Sequence, residues 1–311
     1  MTTHTSRATG ERDAPEVRIA DEILQGPVPA LGVTDAATAA IGPAELGGAA
    51  RALAHRLRPQ HLPRLPADVE VEVVTAEGVD TFAFGLDTDL VELRTNPAAD
   101  PVVRVTLQKP VDLVLMENGI SLMTVIASGR ASLVGGLDDV LGVFGQADYE
   151  PRPGRRAFTE LSRLLLDCRD ARPREVARVL DAFGREDFAR ELVYFFVEAA
   201  ALSGLPSELP PATIRFVIGG IAHRCRIGAQ ECLVEPDGPG FEALLEVPRM
   251  ETMVDRLLGR IGDMDAILSR RMLVAGPAVD DLMPLFERIS TGLTVFTSAQ
   301  EQREWTFPSV R

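Results

Sequence analysis

Lysine is nearly missing from this 311-residue chain: Lys109 is the single one among 32 basic residues, and arginine does the rest. That bias is expected of a GC-rich bacterial genome and carries no chemistry. Positive charge is also short overall. The formal net charge of −14 argues against a nucleic-acid partner and against docking on anionic lipid. Cysteine is too sparse for a disulfide framework. Cys168, Cys225 and Cys232 are scattered, and they point to a reducing cytoplasm. Four histidines, His4, His55, His61 and His223, show no metal-ligand spacing, so neither a metal nor another cofactor is expected. No apolar run is long enough for stable membrane insertion, and MTTHTSRATGERDAPE at the start lacks the apolar segment of a secretory signal.

What the chain does contain is a patterned stretch from Asp100 to Gln146. Val103, Val105 and Leu107 alternate with Arg104 and Thr106, the period of a strand with one buried face. Pro110 suits the first turn of a helix and Gly119 a left-handed stop. Ser121 can cap a second short helix over Leu122 to Ser128, ended by Gly129. A short strand over 131–134, the Gly135-Gly136 break and a helix over Leu137 to Phe144 follow. The same order returns from Phe241 onward. Leu107 matches Val247, Lys109 matches Arg249 and Gly119 matches Gly259. One residue later in register, Met123 matches Met264, Ser128 matches Ser269, Arg130 matches Arg271 and Gly135 matches Gly276. A repeat at this long spacing means two copies of one domain.

The first copy resembles the sterol carrier protein 2 (SCP2-like) lipid-binding family. The resemblance rests on the strand opening at Asp100, the paired helices, and SGRASLVGG at Ser128 to Gly136. The second copy departs from the pattern, since Arg270 stands where Gly129 gives the turn and Pro277 follows Gly276. With copies of ordinary domain size, the likeness covers about two thirds of the chain. It implies an α+β fold: two SCP2-like domains, each a five-stranded, mostly antiparallel sheet with helices on one face. It also implies an apolar tunnel between helices and sheet for a sterol, fatty acid, acyl-CoA or isoprenoid.

The remaining segments fit that plan. Residues 1–40 are expected to form a disordered or loosely packed arm, 41–147 the first domain, 148–184 a linker with extra helices, 185–290 a divergent second domain, and 291–311 a tail. Ala44 to Leu57 reads as a helix, although two glycines weaken it by about 1 kcal/mol each. Val69, Val71 and Val73 alternate with glutamates, Phe82 and Phe84 share a face of the next strand, and Val91 and Leu93 begin a third. Later, Ala157 to Cys168, Arg174 to Phe183 and the strongly apolar Arg185 to Leu202 read as helices. Thr213 to Ile218, Ile221 to Ile227 and Glu231 to Val234 read as strands.

Chemistry is hard to find. His223 and Cys225 share a strand face, but such neighbours do not build a triad, and Cys is commonly core filler. Asp138-Asp139 and Asp280-Asp281 fall at helix starts, where the helix dipole favours negative charge. Arg130 and Arg271 read as solvated or salt-bridged side chains, with a ligand head group as the other role. No catalytic residue is assigned. The candidate ligand-binding residues are Phe82, Phe84, Leu113, Met116, Met123 and Ile126 in the first copy, with Met253, Leu257, Met264 and Ile267 in the second. Methionine adapts to irregular apolar shapes and suits a tolerant pocket. The expected partner is a hydrophobic small molecule, bound without chemistry, and Met123→Arg is expected to block its uptake in an intact fold. A homo-oligomer or protein partner could use the central helices or the tail. Two other classes stay open: an interaction module with filled pockets, and an enzyme on an isoprenoid, steroid or acyl substrate.

Overall fold

The computed structural model describes residues 41–57, 65–88, 90–94, 100–144, 158–203, 210–228 and 232–291. The expected N-terminal arm, the linker-like stretch 147–156 and the tail beyond 291 lie outside the described residues. Helix α1 (Pro43–Arg56) leads into strands β1 (Ala67–Thr75), β2 (Gly78–Leu86), β3 (Val91–Arg94) and β4 (Val103–Leu107). Two short helices, α2 (Pro110–Glu117) and α3 (Leu122–Ala127), precede β5 (Ala131–Gly135) and α4 (Leu137–Val143). The sheet order is β3-β2-β1-β4-β5, and only the β1–β4 pair is parallel.

Three further helices, α5 (Phe158–Arg169), α6 (Pro173–Phe183) and α7 (Arg185–Leu202), join this unit to a second sheet. Its strands are β6 (Ala212–Ile218), β7 (Ile221–Ile227), β8 (Cys232–Glu235), β9 (Ala243–Val247) and β10 (Leu273–Ala275). Helices α8 (Met250–Leu257) and α9 (Asp263–Leu268) lie between β9 and β10, and a final helix, α10, spans 279–291. The order is β10-β9-β6-β7-β8, again with one parallel pair, β6–β9. The protein is therefore α+β, with two five-stranded sheets of one topology.

Local chemistry explains these boundaries. Pro110 stands at the first turn of α2, where a missing N–H costs nothing, and Gly119 stops the helix at φ +94°. The Ser121 hydroxyl accepts from the Thr124 N–H at 3.0 Å and caps α3. Matched residues in the second half make matched bonds. The Gly119 N–H donates to the Met116 carbonyl, and the Gly259 N–H to that of Arg256. The Arg130 N–H donates to the Val125 carbonyl, and the Arg271 N–H to that of Ala266.

Alternation decides which face is covered. Val69, Val71, Val73, Val103, Val105 and Leu107 are fully buried beneath the helices. On the opposite face the register sets Glu70 beside Arg104 and Glu72 beside Thr106, bonded at 2.8 Å each. The second sheet repeats the division. Ile214, Phe216 and Ile218 face inward, while Arg215–Asp237 and Arg224–Glu235 ion pairs line the outer side. Helix α7 packs over β7 and β8 and also against α3, so one apolar core runs through both halves.

Candidate functional site

The second half encloses an apolar cavity of about 570 Å³, open on one side. Sheet residues Phe216, Ile218, Leu245 and Val274 form its floor. Leu192, Phe195 and Phe196 of α7 form one wall, and Met253 and Leu257 of α8 with Met264 and Ile267 of α9 form another. Phe286 of α10 closes it. The Phe196 ring meets Phe216 edge-on at 5.0 Å and Phe286 at 5.5 Å, a continuous aromatic wall. The size and the predominantly apolar lining fit a small-molecule site.

All four residues singled out in the second half, Met253, Leu257, Met264 and Ile267, line this cavity. Met264 stands at its edge, 63% exposed. None of the six from the first half does. Phe84, Leu113, Met116, Met123 and Ile126 are buried in the core, and Phe82 is half-buried against it. The lining from α7, β6, β9, β10 and α10 was missed by sequence reading. Those residues are far apart in the chain, and periodicity reports only which face is buried. Phe195-Phe196 within a uniformly apolar helix was the one available signal.

Two differences between the halves accompany this space. In the first, α1 packs against α2, whereas α7 lies over β7 and β8. The cover of the second sheet is thus shifted away from α8. The second difference is polar. Arg256 and Asp263 fall where the repeat match places Met116 and Leu122, both buried. Arg256 donates through Nε to Asp263 Oδ1 and through Nη2 to Oδ2, the latter at 2.6 Å. Burial pushes the Asp263 carboxyl up, but the Arg256 hydrogen bonds and charge, with a hydrogen bond from Ser290, hold it below the usual carboxylate range. Glu287, Ser290 and Thr291 complete this polar end.

Elsewhere the buried polar groups read as structural. Arg130 Nη2 lies 2.7 Å from Asp112 Oδ1, with both side chains buried. Burial pushes the Asp112 carboxyl up to about 6, against the pull of Arg130. The Cys225 thiol is raised well above its ordinary value by burial, and the His223 imidazole is lowered by burial and nearby Arg190. A protonated thiol beside a neutral imidazole is not an activated nucleophile. Cys168 is likewise pushed up to about 11 by burial and Asp167. Among the described residues no group of three or more His, Cys, Asp or Glu side chains could hold a metal ion. Among them, too, no helix is long and apolar enough to cross a membrane.

Among known proteins, no family model matches the chain, and no curated protein does. Two solved structures match in part. One is palmitated SCP2L2 from Aedes aegypti, 18% identical over 32% of this chain and 86% of that one, with a TM-score of 0.25. The other is TT1886, a conserved hypothetical protein and possible sterol carrier protein from Thermus thermophilus. It is 13% identical over 36% of this chain and 82% of that one, with a TM-score of 0.23.

Proposed function

We propose that this chain holds two tandem SCP2-like domains, 41–147 and 185–290, and binds a hydrophobic small molecule in the second-half cavity without transforming it. The observation that carries this reading is the cavity itself: enclosed by sheet and helices, lined by four phenylalanines of which three are in ring contact, and open to solvent beside Met264. Burial of an aliphatic chain there contributes about 0.8 kcal/mol per methylene, so a shape-tolerant site of this volume binds usefully without directed polar contacts.

The polar end narrows the ligand class. Among the described lining residues Arg256 is the one cation, and both oxygens of Asp263 already hold it. A ligand carboxylate would have to displace Asp263, leaving a partly buried charge without its partner. The wall therefore favours an uncharged apolar molecule, such as a sterol, an isoprenoid or a long-chain alcohol, over a fatty-acid anion.

Competition against a fluorescent apolar probe tests both points. A long-chain alcohol should displace the probe at lower concentration than the matched fatty acid, and Ile267→Trp, which fills the cavity, should lower probe binding at least tenfold. Equal binding by a folded Ile267→Trp variant would remove this cavity as the site.

A further inference from the structure

A second concavity, about 350 Å³, lies on the other side of α8, between it and the α5–α6 junction. Its chemistry is the reverse of the first. Arg249, Arg260, Arg270 and Arg271 surround it with only two carboxylates, Glu251 and Asp255, in a protein whose net charge is −14. Those two carboxylates are already engaged. Arg260 contacts Asp255 at 3.0 Å and donates to the carbonyls of Cys168 and Arg169, and Arg249 stands 3.7 Å from Glu251. Arg270 and Arg271 have no ionic or hydrogen-bond partner for their side chains among the described residues.

The first half shows how this imbalance arose. Asp112 sits at the third position of α2, where its N–H donates to the Lys109 carbonyl, and it neutralises buried Arg130. At the same place in α8 the Thr252 N–H donates to the Arg249 carbonyl, so threonine has replaced the carboxylate. Arg271, the counterpart of Arg130, has lost its counter-ion and is exposed. Backbone differences assist. The Gln108 N–H holds the Arg130 carbonyl at 2.8 Å, but the matching residue is Pro248, which has no N–H to give. Strand β10 accordingly begins at Leu273, beyond Arg271. Arg270 holds a left-handed φ of +58° where Gly129 has +76°, a conformation that costs a side-chain-bearing residue. A strained, unpaired arginine beside a second one points to a group that both can hold.

We infer that this arginine-lined concavity is an anion site for a phosphate group, with Arg270 and Arg271 as its charge donors and the Thr252 hydroxyl as a further hydrogen-bonding group. Guanidinium forks match phosphate oxygens in pairs. The site uses the opposite side of α8 from the cavity and does not depend on what the cavity binds.

Calorimetric titration of the full chain at low ionic strength tests it, with inorganic phosphate and glycerol phosphate in solution as one arm and phosphatidic acid vesicles as the other. Saturable binding in either arm, lowered at least tenfold by Arg271→Ala and by Thr252→Asp, supports the site, and the arm that binds identifies the source. Thr252→Asp recreates the pair present in the first half, so it should melt no lower than the parent protein and separates lost binding from lost fold. Absence of saturable binding in both arms, or binding that both variants leave unchanged, overturns the inference.

Discussion

Asp112 and Thr252 occupy the same position in two matched helices; Arg130, which pairs with the carboxylate, is buried, and Arg271, its counterpart beside the threonine, is exposed. In the first half the buried pair is a liability once broken. Arg130→Ala should cost about 3–5 kcal/mol in denaturant unfolding, because it strands a buried carboxylate. The pH dependence follows from the raised Asp112 value of about 6. Its folded form holds the proton more tightly than the unfolded chain, so its stabilising contribution is complete below pH 4 and fades as pH rises through 6. That loss amounts to about 3 kcal/mol, and Asp112→Asn should flatten the stability profile over this window. Met123 corrects an expectation. The sequence suggested that Met123→Arg would leave the fold intact, but the side chain is 2% exposed within the core. An arginine there should destabilise by several kcal/mol, about the cost of burying an unpaired charge, which thermal melting will register.

Among the elements, the glycines that close each α–α–β unit are the clearest shared feature. Gly135 and Gly276 have φ of +151° and +127°, and a Cβ added to either would clash with a backbone carbonyl oxygen, that of Val102 for Gly135 and that of Glu242 for Gly276. Gly276→Ala should therefore destabilise the second half by about 1–3 kcal/mol in denaturant unfolding. These positions were readable from sequence because glycine, proline and a capping serine act locally: Pro110, Gly119, Ser121 and Gly135 each mark a boundary that the structure contains. The helix α7 was readable as apolar and as the leading helix of the second copy, but its packing over β7 and β8 depends on contacts with distant segments. The candidate site divides along the same line. Met253, Leu257, Met264 and Ile267 sit on short amphipathic helices whose inner faces can be counted from the chain. Phe216, Val274 and Phe286 join them only through the sheet and the final helix.

For the whole molecule, the two sheets share one core through α7, which has 13 buried residues over its length. Unfolding followed by far-ultraviolet and near-ultraviolet circular dichroism should give coincident transitions, and two separated midpoints would show that the halves are energetically independent. The halves differ in how their sheets are covered. One has its helices packed down on the sheet with a buried ion pair, and the other has its cover shifted and a hydrophobic space beneath it. The most direct test is organic extraction of the purified, folded protein followed by mass spectrometry, in parallel with Ile267→Trp. An uncharged apolar compound near one per chain, lost from the variant, is the predicted result. Extracts that match buffer blanks, together with no saturable uptake of an added long-chain alcohol, would contradict the binding role of the cavity.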